Sequence, residues 1–286
     1  MIRMPRLILL GLLLLGACIL PTDAQQRWQT LPPTPSLPSP TGTGFVEVKG
    51  ARIWYATFGN IKGPAITLLH GGVGNSNYWG HLVRTLSPDY HVVVMDSRGH
   101  GRSPYDGKPI SYEQMADDMI VVLDALKIER SAAVGWSDGA NTGIYLGLKY
   151  GPRITGLFLF AGNYHINGMQ KSGGSAAAST YFARVQKEYL ELSPAPKAYA
   201  AFRAALSAMW RAQPQLARAE LKKITVPVWV VQAEREELIA HPHAKEMAAA
   251  IPNAKFVSLP GVGHFALLQD PAHFDAEVVR FMQSLR

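Results

Sequence analysis

Short apolar runs that alternate with helical stretches constrain the fold of this chain most strongly. Each run has the length of a strand that is buried on both faces of a sheet, and the runs span residues 65–69, 91–95, 131–136, 156–160, 227–232 and 254–259. Apolar residues three and four positions apart, as in amphipathic helices, occur in the stretches 77–87, 112–127, 139–150, 241–251 and 271–285. The alternation predicts an α/β fold, in which a mostly parallel central sheet carries helices on both faces.

The region before residue 45 has a different composition. Residues 1–24 combine basic residues, an apolar run and small residues, which is the layout of a secretory signal peptide. Residues 25–44 are rich in proline and predict an extended linker that holds the domain away from the export signal. From Phe45, apolar and polar residues alternate around a glycine turn at Gly50. This pattern predicts a hairpin with which the folded domain, residues 45–286, begins.

The export signal can be processed in two ways, and both stay open. Small residues at Thr22 and Ala24 fit ordinary cleavage before Gln25, whereas Leu15-Gly-Ala-Cys18 resembles a bacterial lipobox in which Cys18 would be lipidated. The apolar run is shorter than the roughly 20 residues that a transmembrane helix needs. We therefore expect an exported protein, periplasmic or secreted, with a membrane-anchored lipoprotein as the alternative. A lipid anchor at Cys18 would be its one contact with a membrane.

Cysteine content and charge exclude several classes of function. Cys18 is the one cysteine of the chain, so the folded body has neither an internal disulfide nor a thiol nucleophile. The net charge is +7, but the basic residues are scattered, which argues against nucleic-acid binding. His241 and His243 have no third ligand at a suitable spacing, so no metal site is expected. No pattern indicates a nucleotide or another cofactor, and the expected partner is a small-molecule substrate.

A long interval interrupts the alternation between the runs 156–160 and 227–232. A single crossover helix needs far fewer residues. The interval is rich in alanine and aromatic residues, which predicts a small helical cap, at about 163–224, over the C-terminal edge of the sheet. Asn163, Tyr164 and Met169 follow the first of these runs and are candidate residues of a substrate pocket.

One serine lies where a strand is expected to turn into a helix. Gly135-Trp-Ser137-Asp-Gly139 ends the run 131–136 and precedes a helical stretch. A nucleophile elbow requires this context, because its serine occupies a strained turn and projects its hydroxyl near a helix N-terminus that favours negative charge. Flanking glycines avoid side-chain clashes at such a turn. Ser137 is therefore the predicted nucleophile.

A serine hydroxyl needs a base that a third group orients. His264 lies in a glycine-rich loop after the last expected strand and before the last helix, from which it can bend toward the elbow. The usual chain order of nucleophile, acid and base puts the acid after the run 227–232. Three carboxylates compete there: Glu236 is preferred, and Glu234 and Glu237 stay open as alternatives.

Acyl transfer also needs hydrogen-bond donors for the oxyanion. His70-Gly71-Gly72-Val73-Gly74 directly follows the run 65–69. We expect the backbone N–H of Gly72, or alternatively that of Val73, to pair with the N–H of Asp138. The His70 side chain is expected to hold this loop by hydrogen bonding rather than to act in catalysis.

The chain resembles the α/β-hydrolase superfamily over residues 45–286. The resemblance lies in His70-Gly-Gly, Asp96-Ser-Arg-Gly-His100-Gly-Arg-Ser103, the Gly135-x-Ser-x-Gly139 elbow and Gly263-His264. It implies a lidded pocket, no cofactor, catalytic roles for Ser137 and His264, and a turn-organising Asp96. One segment departs from the family pattern: the family usually has Gly-x-x-Asp after the seventh strand, whereas this chain has Ala233-Glu-Arg-Glu236.

These residues predict a serine hydrolase, such as a carboxylesterase, that cleaves an ester-like bond of a small apolar substrate. Ser137, His264 and Glu236 would form the triad, and an acyl-enzyme would be the intermediate. A serine nucleophile argues against dehalogenase and epoxide hydrolase chemistry, because those relatives attack with a carboxylate. Aminopeptidase, lactonase and carbon–carbon bond hydrolase activities share the triad and stay open, as does a non-catalytic binding protein on the same fold. The natural substrate and the oligomeric state are not predicted.

Overall fold

A sheet of eight strands forms the centre of the molecule. The computed structural model describes residues 24–170 and 174–286, so the predicted signal peptide up to residue 23, with its lipobox, lies outside the described residues. The strands are β1 (Gly42–Val48), β2 (Ala51–Gly59), β3 (Ala65–Leu69), β4 (His91–Met95), β5 (Ser131–Trp136), β6 (Ile154–Phe160), β7 (Val228–Ala233) and β8 (Ala254–Leu259). Their spatial order is β1-β2-β4-β3-β5-β6-β7-β8. The β1–β2 and β2–β4 pairs are antiparallel and the other pairs are parallel.

Helices follow most of the parallel strands, and the predicted fold class is confirmed. They are α1 (Gly80–Leu86), α2 (Tyr112–Ala125), α3 (Asp138–Lys149), α4 (Ala176–Leu192), α5 (Tyr199–Ala212), α6 (His241–Ala250), α7 (Ala266–Gln269) and α8 (Pro271–Ser284). The predicted helix 77–87 differs in detail, because its first turn is the 3₁₀ helix Ser76–Trp79. Within the described parts of the chain, no helix combines the length and the apolar content that crossing a membrane requires.

The hydrophobic core has two layers, one on each face of the sheet. Every residue of β5 is buried, as expected for a strand that is covered on both faces. Side chains of alternate strand residues point to opposite faces, so Leu68 and Phe158 belong to one cluster and Leu69 and Leu157 to the other. The first cluster includes residues of α1 and α8, and the second includes residues of α3 and α6.

Helix α3 packs unusually close to the sheet because glycines face it at every fourth position. A Cβ atom added to Gly139 would lie 2.0 Å from the carbonyl oxygen of Leu69 at the end of β3. A Cβ atom on Gly143 would lie 2.6 Å from Leu159, and one on Gly147 would lie 2.9 Å from Leu157. Residues four apart share one face of a helix. This glycine face sets the N-terminus of α3 directly against the C-terminal ends of the strands.

The interval between β6 and β7, where the sequence predicts a helical cap, contains α4 and α5. Much of its aromatic content is buried between these helices and the sheet. The rings of Tyr189 on α4 and Phe202 on α5 stack with centroids 5.3 Å apart and planes 11° from parallel. Phe202 also packs edge-on against His100, in the loop after β4. The two helices therefore pack against each other and against the loop after β4.

Residues 28–37, here called the N-terminal strap, belong to the segment that the sequence predicts to be an extended linker holding the domain away from the export signal. The strap lies against the domain, with Leu31 and Leu37 packed on the hydrophobic core. Arg184 on α4 donates hydrogen bonds to the carbonyls of Leu31 and Pro32 at 2.9 and 2.5 Å. Prolines leave an extended backbone with carbonyls that no helix or sheet occupies, so the side chains of the body can bind them. The sequence shows the extended backbone but not its partners.

The close packing of α3 predicts a large effect of a single methyl group. Gly139→Ala is expected to lower the free energy of unfolding by about 1–3 kcal/mol, because its Cβ would meet backbone atoms that cannot rotate aside. Gly151→Ala is the matched control, since nothing lies within 4 Å of its added Cβ, and should change stability by less than about 0.5 kcal/mol. Urea denaturation measures both values. Equal stability of the two variants would contradict the close contact.

Candidate active site

Ser137 occupies a sharp turn between β5 and α3. Its backbone has φ 56° and ψ −118°, a combination that non-glycine residues rarely adopt and that costs about 1–3 kcal/mol. The N–H of Ser137 donates to the carbonyl of Phe160 at 2.9 Å. A Cβ atom on Gly135 would lie 2.3 Å from the carbonyl oxygen of Gly139, so the turn closes only with a glycine there. The turn directs the Ser137 side chain away from the sheet and into a cavity.

His264 lies in the loop between β8 and α7 and is 3% exposed. Its Nδ1 and the Oε1 atom of Glu236 form a hydrogen bond of 2.6 Å. The indole N–H of Trp136, the last residue of β5, donates to the His264 carbonyl at 2.9 Å. His264 and Ser137 line the same cavity. Trp136, at the end of β5, therefore holds the backbone of His264, and Glu236, in the segment after β7, holds its imidazole.

The three glutamates that compete for the acid position in the sequence separate clearly in space. Glu236 has a fully buried side chain, and its Oε1 also accepts the N–H groups of Leu238 and Ile239 at 3.0 and 3.3 Å. Glu234 accepts the N–H of Gly261 at 2.8 Å. Glu237 accepts the backbone N–H of His264 at 2.9 Å. All three contact the loop of His264, and Glu236 is the one that contacts the imidazole.

Opposing effects set the pKa of His264. Burial disfavours the imidazolium and lowers the pKa, whereas the Glu236 carboxylate raises it through its charge and its hydrogen bond. The charges of Glu237 and Asp138 act in the same direction as that of Glu236. The net result is a pKa above the usual value of 6.5. The protein thus stabilises the protonated imidazole that would form when His264 takes a proton.

The loop after β3 carries the predicted oxyanion donor Gly72. The His70 side chain holds this loop: its Nε2 accepts the N–H of Ser97 at 3.0 Å, so Nδ1 carries the proton and donates to the carbonyl of Gly71 at 2.8 Å. Burial lowers the pKa of His70 and keeps the ring neutral. Gly72 and Asp138 both line the cavity beside Ser137, whereas the alternative donor Val73 is buried and does not line it.

Asp96, at the end of β4, organises the turns around this loop. Its carboxylate is buried and accepts the backbone N–H groups of Ser76 and Arg102 at 2.7 and 2.8 Å. The guanidinium of Arg102 lies 3.0 Å from the same carboxylate. Asp96 does not line the cavity of Ser137. These contacts are those of the turn-organising residue that the resemblance implies.

A cavity of about 260 Å³ contains Ser137 and His264. Its wall is mainly apolar and aromatic: Trp136, Met169, Tyr181, Phe182, Trp210, Leu238, Ile239 and Phe265. Four polar side chains interrupt this wall: Tyr112, Asp138, Asn163 and Gln213. Of these residues, Tyr181, Phe182 and Trp210 belong to α4 and α5. The interval predicted as a cap therefore forms one side of the cavity.

Two of the three predicted pocket residues, Asn163 and Met169, line this cavity, and Tyr164 does not. The Tyr164 ring stacks on His243 of α6, with centroids 4.3 Å apart. The Asn163 side chain instead bonds to Asn141 of α3 at 2.9 Å. The two adjacent side chains therefore point in different directions, Asn163 toward α3 and the cavity and Tyr164 toward α6. The prediction for Tyr164 is corrected accordingly.

The side chain of Asp138 has contacts that the sequence analysis missed. Its Oδ1 accepts the hydroxyl of Tyr112 at 2.7 Å, and its Oδ2 accepts the indole N–H of Trp210 on α5 at 2.8 Å. The carboxylate thus joins α2, α3 and α5 beside Ser137. Burial raises its pKa, and the two hydrogen bonds oppose that rise. An acidic residue in the first turn of a helix is common on dipole grounds alone, so no sequence signal marked these contacts.

Metal binding has no support among the described residues, which contain no group of three or more His, Cys, Asp or Glu side chains that could hold an ion. The buried ionisable groups of the site bond instead to one another and to the backbone. Glu236 binds His264 in this way, and Asp138 binds Tyr112 and Trp210.

Known proteins resemble this chain in sequence and in fold. A protein named "Putative carbamate hydrolase RutD" from Shigella flexneri is 26% identical over an alignment of 245 residues that covers 78% of this chain and 92% of that protein. Est816, described as "an N-Acyl homoserine lactone degrading enzyme", is 28% identical with a TM-score of 0.68, over 83% of this chain and 100% of that structure. The enol-lactonase from Burkholderia xenovorans LB400 has a TM-score of 0.68 at 23% identity, over 84% of this chain and 100% of that structure.

The match to a family model covers most of the folded part of the chain. Residues 68–276 match the model described as "Alpha/beta hydrolase family". The matched segment begins at the end of β3 and ends within α8, so it includes Ser137, Glu236 and His264. The chain belongs to the alpha/beta hydrolase family.

Proposed function

We propose that this protein is a serine hydrolase that cleaves an ester-like bond of a small apolar substrate through an acyl-enzyme. One observation carries the proposal: Glu236 binds Nδ1 of His264 at 2.6 Å beside a strained Ser137 that lines the same cavity. A nucleophile, a base and an orienting acid in this arrangement are the requirement for acyl transfer.

The hydrogen bond to Glu236 fixes the direction of proton transfer. Because Nδ1 is bonded to the carboxylate, Nε2 is the nitrogen that accepts the proton of Ser137 as its oxygen attacks the carbonyl carbon of the substrate. The imidazolium then donates that proton to the leaving oxygen, and the acyl group stays on Ser137. A water molecule repeats the sequence and releases the acid. The backbone N–H groups of Gly72 and Asp138 are the proposed donors to the oxyanion.

The cavity supports a small, uncharged and apolar substrate. Its volume of about 260 Å³ lies at or below the lower end of ligand pockets, roughly 300–1,000 Å³. Aromatic walls favour an apolar acyl or ring group. The buried carboxylate of Asp138 adds negative charge beside the nucleophile and disfavours a substrate that carries a second carboxylate. These features favour neutral esters over anionic ones.

Carbamates and lactones are the second group of candidate substrates. The RutD relatives are named as putative carbamate hydrolases, and Est816 is described as a lactone-degrading enzyme. Attack by a serine on a carbamate or lactone carbonyl starts with the same proton transfer to His264, so the proposed machinery serves these bonds too. A non-catalytic binding role has less support, because it would not require the strain at Ser137 or the buried pairing of Glu236 with His264.

A panel of substrates tests the proposed reaction. Purified protein is expected to hydrolyse p-nitrophenyl acetate and butyrate faster than the decanoate, because a cavity of this size has no room for a long acyl chain. Phenyl carbamates and short lactones belong in the same panel. Ser137→Ala should lower kcat by about 10³-fold or more. Ester turnover that survives in Ser137→Ala would remove the serine mechanism.

The acid assignment predicts unequal effects of two neighbouring glutamates. Glu236→Gln should lower kcat by about 10³–10⁴-fold, as loss of the orienting carboxylate does in serine proteases. Glu234→Gln is the matched control, because its exposed side chain binds the Gly261 N–H, and should stay within about twofold of the wild type.

The raised pKa of His264 also predicts the pH dependence. The base must be neutral to act, so kcat/KM of the wild type should rise with pH and reach half its maximum above pH 6.5. Glu236→Gln removes a negative charge that stabilises the imidazolium. The residual kcat/KM of this variant should therefore reach half its maximum at a lower pH than that of the wild type. A profile in Glu236→Gln that rises at the wild-type pH or above would contradict the pairing of Glu236 with His264.

The carboxylate of Asp138 predicts discrimination by charge. Two like charges about 7 Å apart at an effective dielectric constant of about 20 repel by about 2 kcal/mol, so p-nitrophenyl hemisuccinate should react at least about tenfold more slowly than the butyrate. Asp138→Asn keeps the shape of the side chain and should narrow this ratio of kcat/KM. An unchanged ratio would show that the Asp138 charge does not reach the substrate.

A further inference from the structure

The backbone of the loop that carries His264 is held by side chains at three points. The N–H of Gly261 donates to Glu234 at 2.8 Å, the N–H of Gly263 donates to Gln269 at 2.7 Å, and the N–H of His264 donates to Glu237 at 2.9 Å. A loop without such partners would leave its N–H groups to water or unsatisfied. Of the three acceptors, Glu237 contacts the catalytic base itself.

The second carboxylate oxygen of Glu237 contacts the start of α4. The hydroxyl of Ser175 donates to Oε1 of Glu237 at 2.7 Å. Ser175 is also the N-cap residue of α4, where its oxygen accepts the N–H of Ala178 at 3.0 Å. One carboxylate therefore connects the first turn of α4 with the backbone of His264. Helix α4 in turn places Tyr181 and Phe182 in the wall of the cavity.

Gly263 makes room for this carboxylate. A Cβ atom at position 263 would lie 2.6 Å from Oε2 of Glu237, the oxygen that accepts the His264 N–H. Any larger residue at position 263 would push that oxygen away from its donor. The glycine of the Gly263-His264 motif thus serves the contact between Glu237 and the base.

We infer that Glu237 is a positioning residue. Its carboxylate fixes the position of the His264 backbone and, through Ser175, links that position to the position of helix α4. The inference rests on the proposed function, because it gives Glu237 a part in the same reaction. It separates the roles of the adjacent glutamates. Glu236 orients the imidazole through Nδ1, and Glu237 orients the main chain from which the imidazole extends.

The charged groups that face His264 come from two elements. Glu236 and Glu237 approach from the segment after β7, and Asp138 approaches from the start of α3. The side chains that line the cavity with His264 from β5, α4 and α7's N-cap are the uncharged Trp136, Tyr181 and Phe265. Removing the charge of Glu237 while keeping its shape should therefore lower the pKa of His264. The charges of Glu236 and Asp138 should preserve part of the upward shift of this pKa.

Two variants of Glu237 separate its charge from its hydrogen bonds. In Glu237→Gln the amide can still accept the His264 N–H and bind the Ser175 hydroxyl, so the maximal rate at high pH should stay within about threefold of the wild type. The pH at half-maximal rate should fall. In Glu237→Ala both contacts are lost, and the maximal rate should fall about tenfold or more, because small displacements of a catalytic group are costly. Glu234→Gln is the matched control for the loss of charge, because its amide oxygen can still accept the Gly261 N–H.

The measurement is the rate at which a fluorophosphonate probe labels Ser137 between pH 5 and 9, with p-nitrophenyl acetate turnover beside it. Ser175→Ala removes the hydroxyl that donates to Glu237 and caps α4 but leaves the contact between Glu237 and the His264 N–H. It should lower the maximal labelling rate by less than Glu237→Ala does and leave the half-maximal pH unchanged. Glu237→Gln with an unchanged half-maximal pH, or a folded Glu237→Ala with the wild-type rate, would overturn the inference.

An NMR titration of the His264 imidazole keeps the two proposals separate. If the wild type neither labels with the probe nor cleaves any ester, the proposed function fails, and the titration still reports on Glu237. A lower imidazole pKa in Glu237→Gln than in the wild type and in Glu234→Gln supports the contact. An imidazole pKa that is equal in all three proteins rejects it, whether or not Glu237→Ala folds.

Discussion

The close approach of α3 to the sheet is the constraint on which the candidate site depends. Gly139 rests against the carbonyl of Leu69, and two residues earlier the chain turns at Ser137 with a positive φ angle. The packing of the two core layers compensates for the strain at Ser137. Ser137, the N-terminus of α3 and the loop after β3 thereby converge at one edge of the sheet. A looser helix would leave the same residues present but apart.

Negative charge is concentrated around a single buried imidazole. Glu236, Glu237 and Asp138 all favour the protonated form of His264, whereas burial favours the neutral form. The pKa of a histidine in water would be affected neither by such charges nor by burial. Because the carboxylates are themselves held by N–H, hydroxyl and indole donors, they need not reorganise when His264 gains a proton. Such preorganisation is the usual source of electrostatic stabilisation in enzymes.

The periodicity of the sequence sufficed for the fold class and most elements, because buried parallel strands and amphipathic helices differ in their apolar spacing. The serine and histidine were identifiable from motifs tied to strand ends. The acid was not, since Glu234, Glu236 and Glu237 lie within one short loop whose path alone decides which side chain reaches the imidazole. The same limit applies to Tyr164, whose ring packs on His243 rather than facing the cavity, and to Asp138, whose partners are distant in sequence.

The N-terminal strap changes what counts as the folding unit of this chain. A boundary drawn from the sheet alone would start the domain near β1 and discard residues 28–37. Those residues supply the carbonyls that bind Arg184 on α4 and, at Trp28 and Thr30, the amide of Gln269. Gln269 in turn holds the backbone next to His264. The strap is therefore bonded both to α4 and, through Gln269, to the loop of His264, and a chain that started at β1 would lose these contacts.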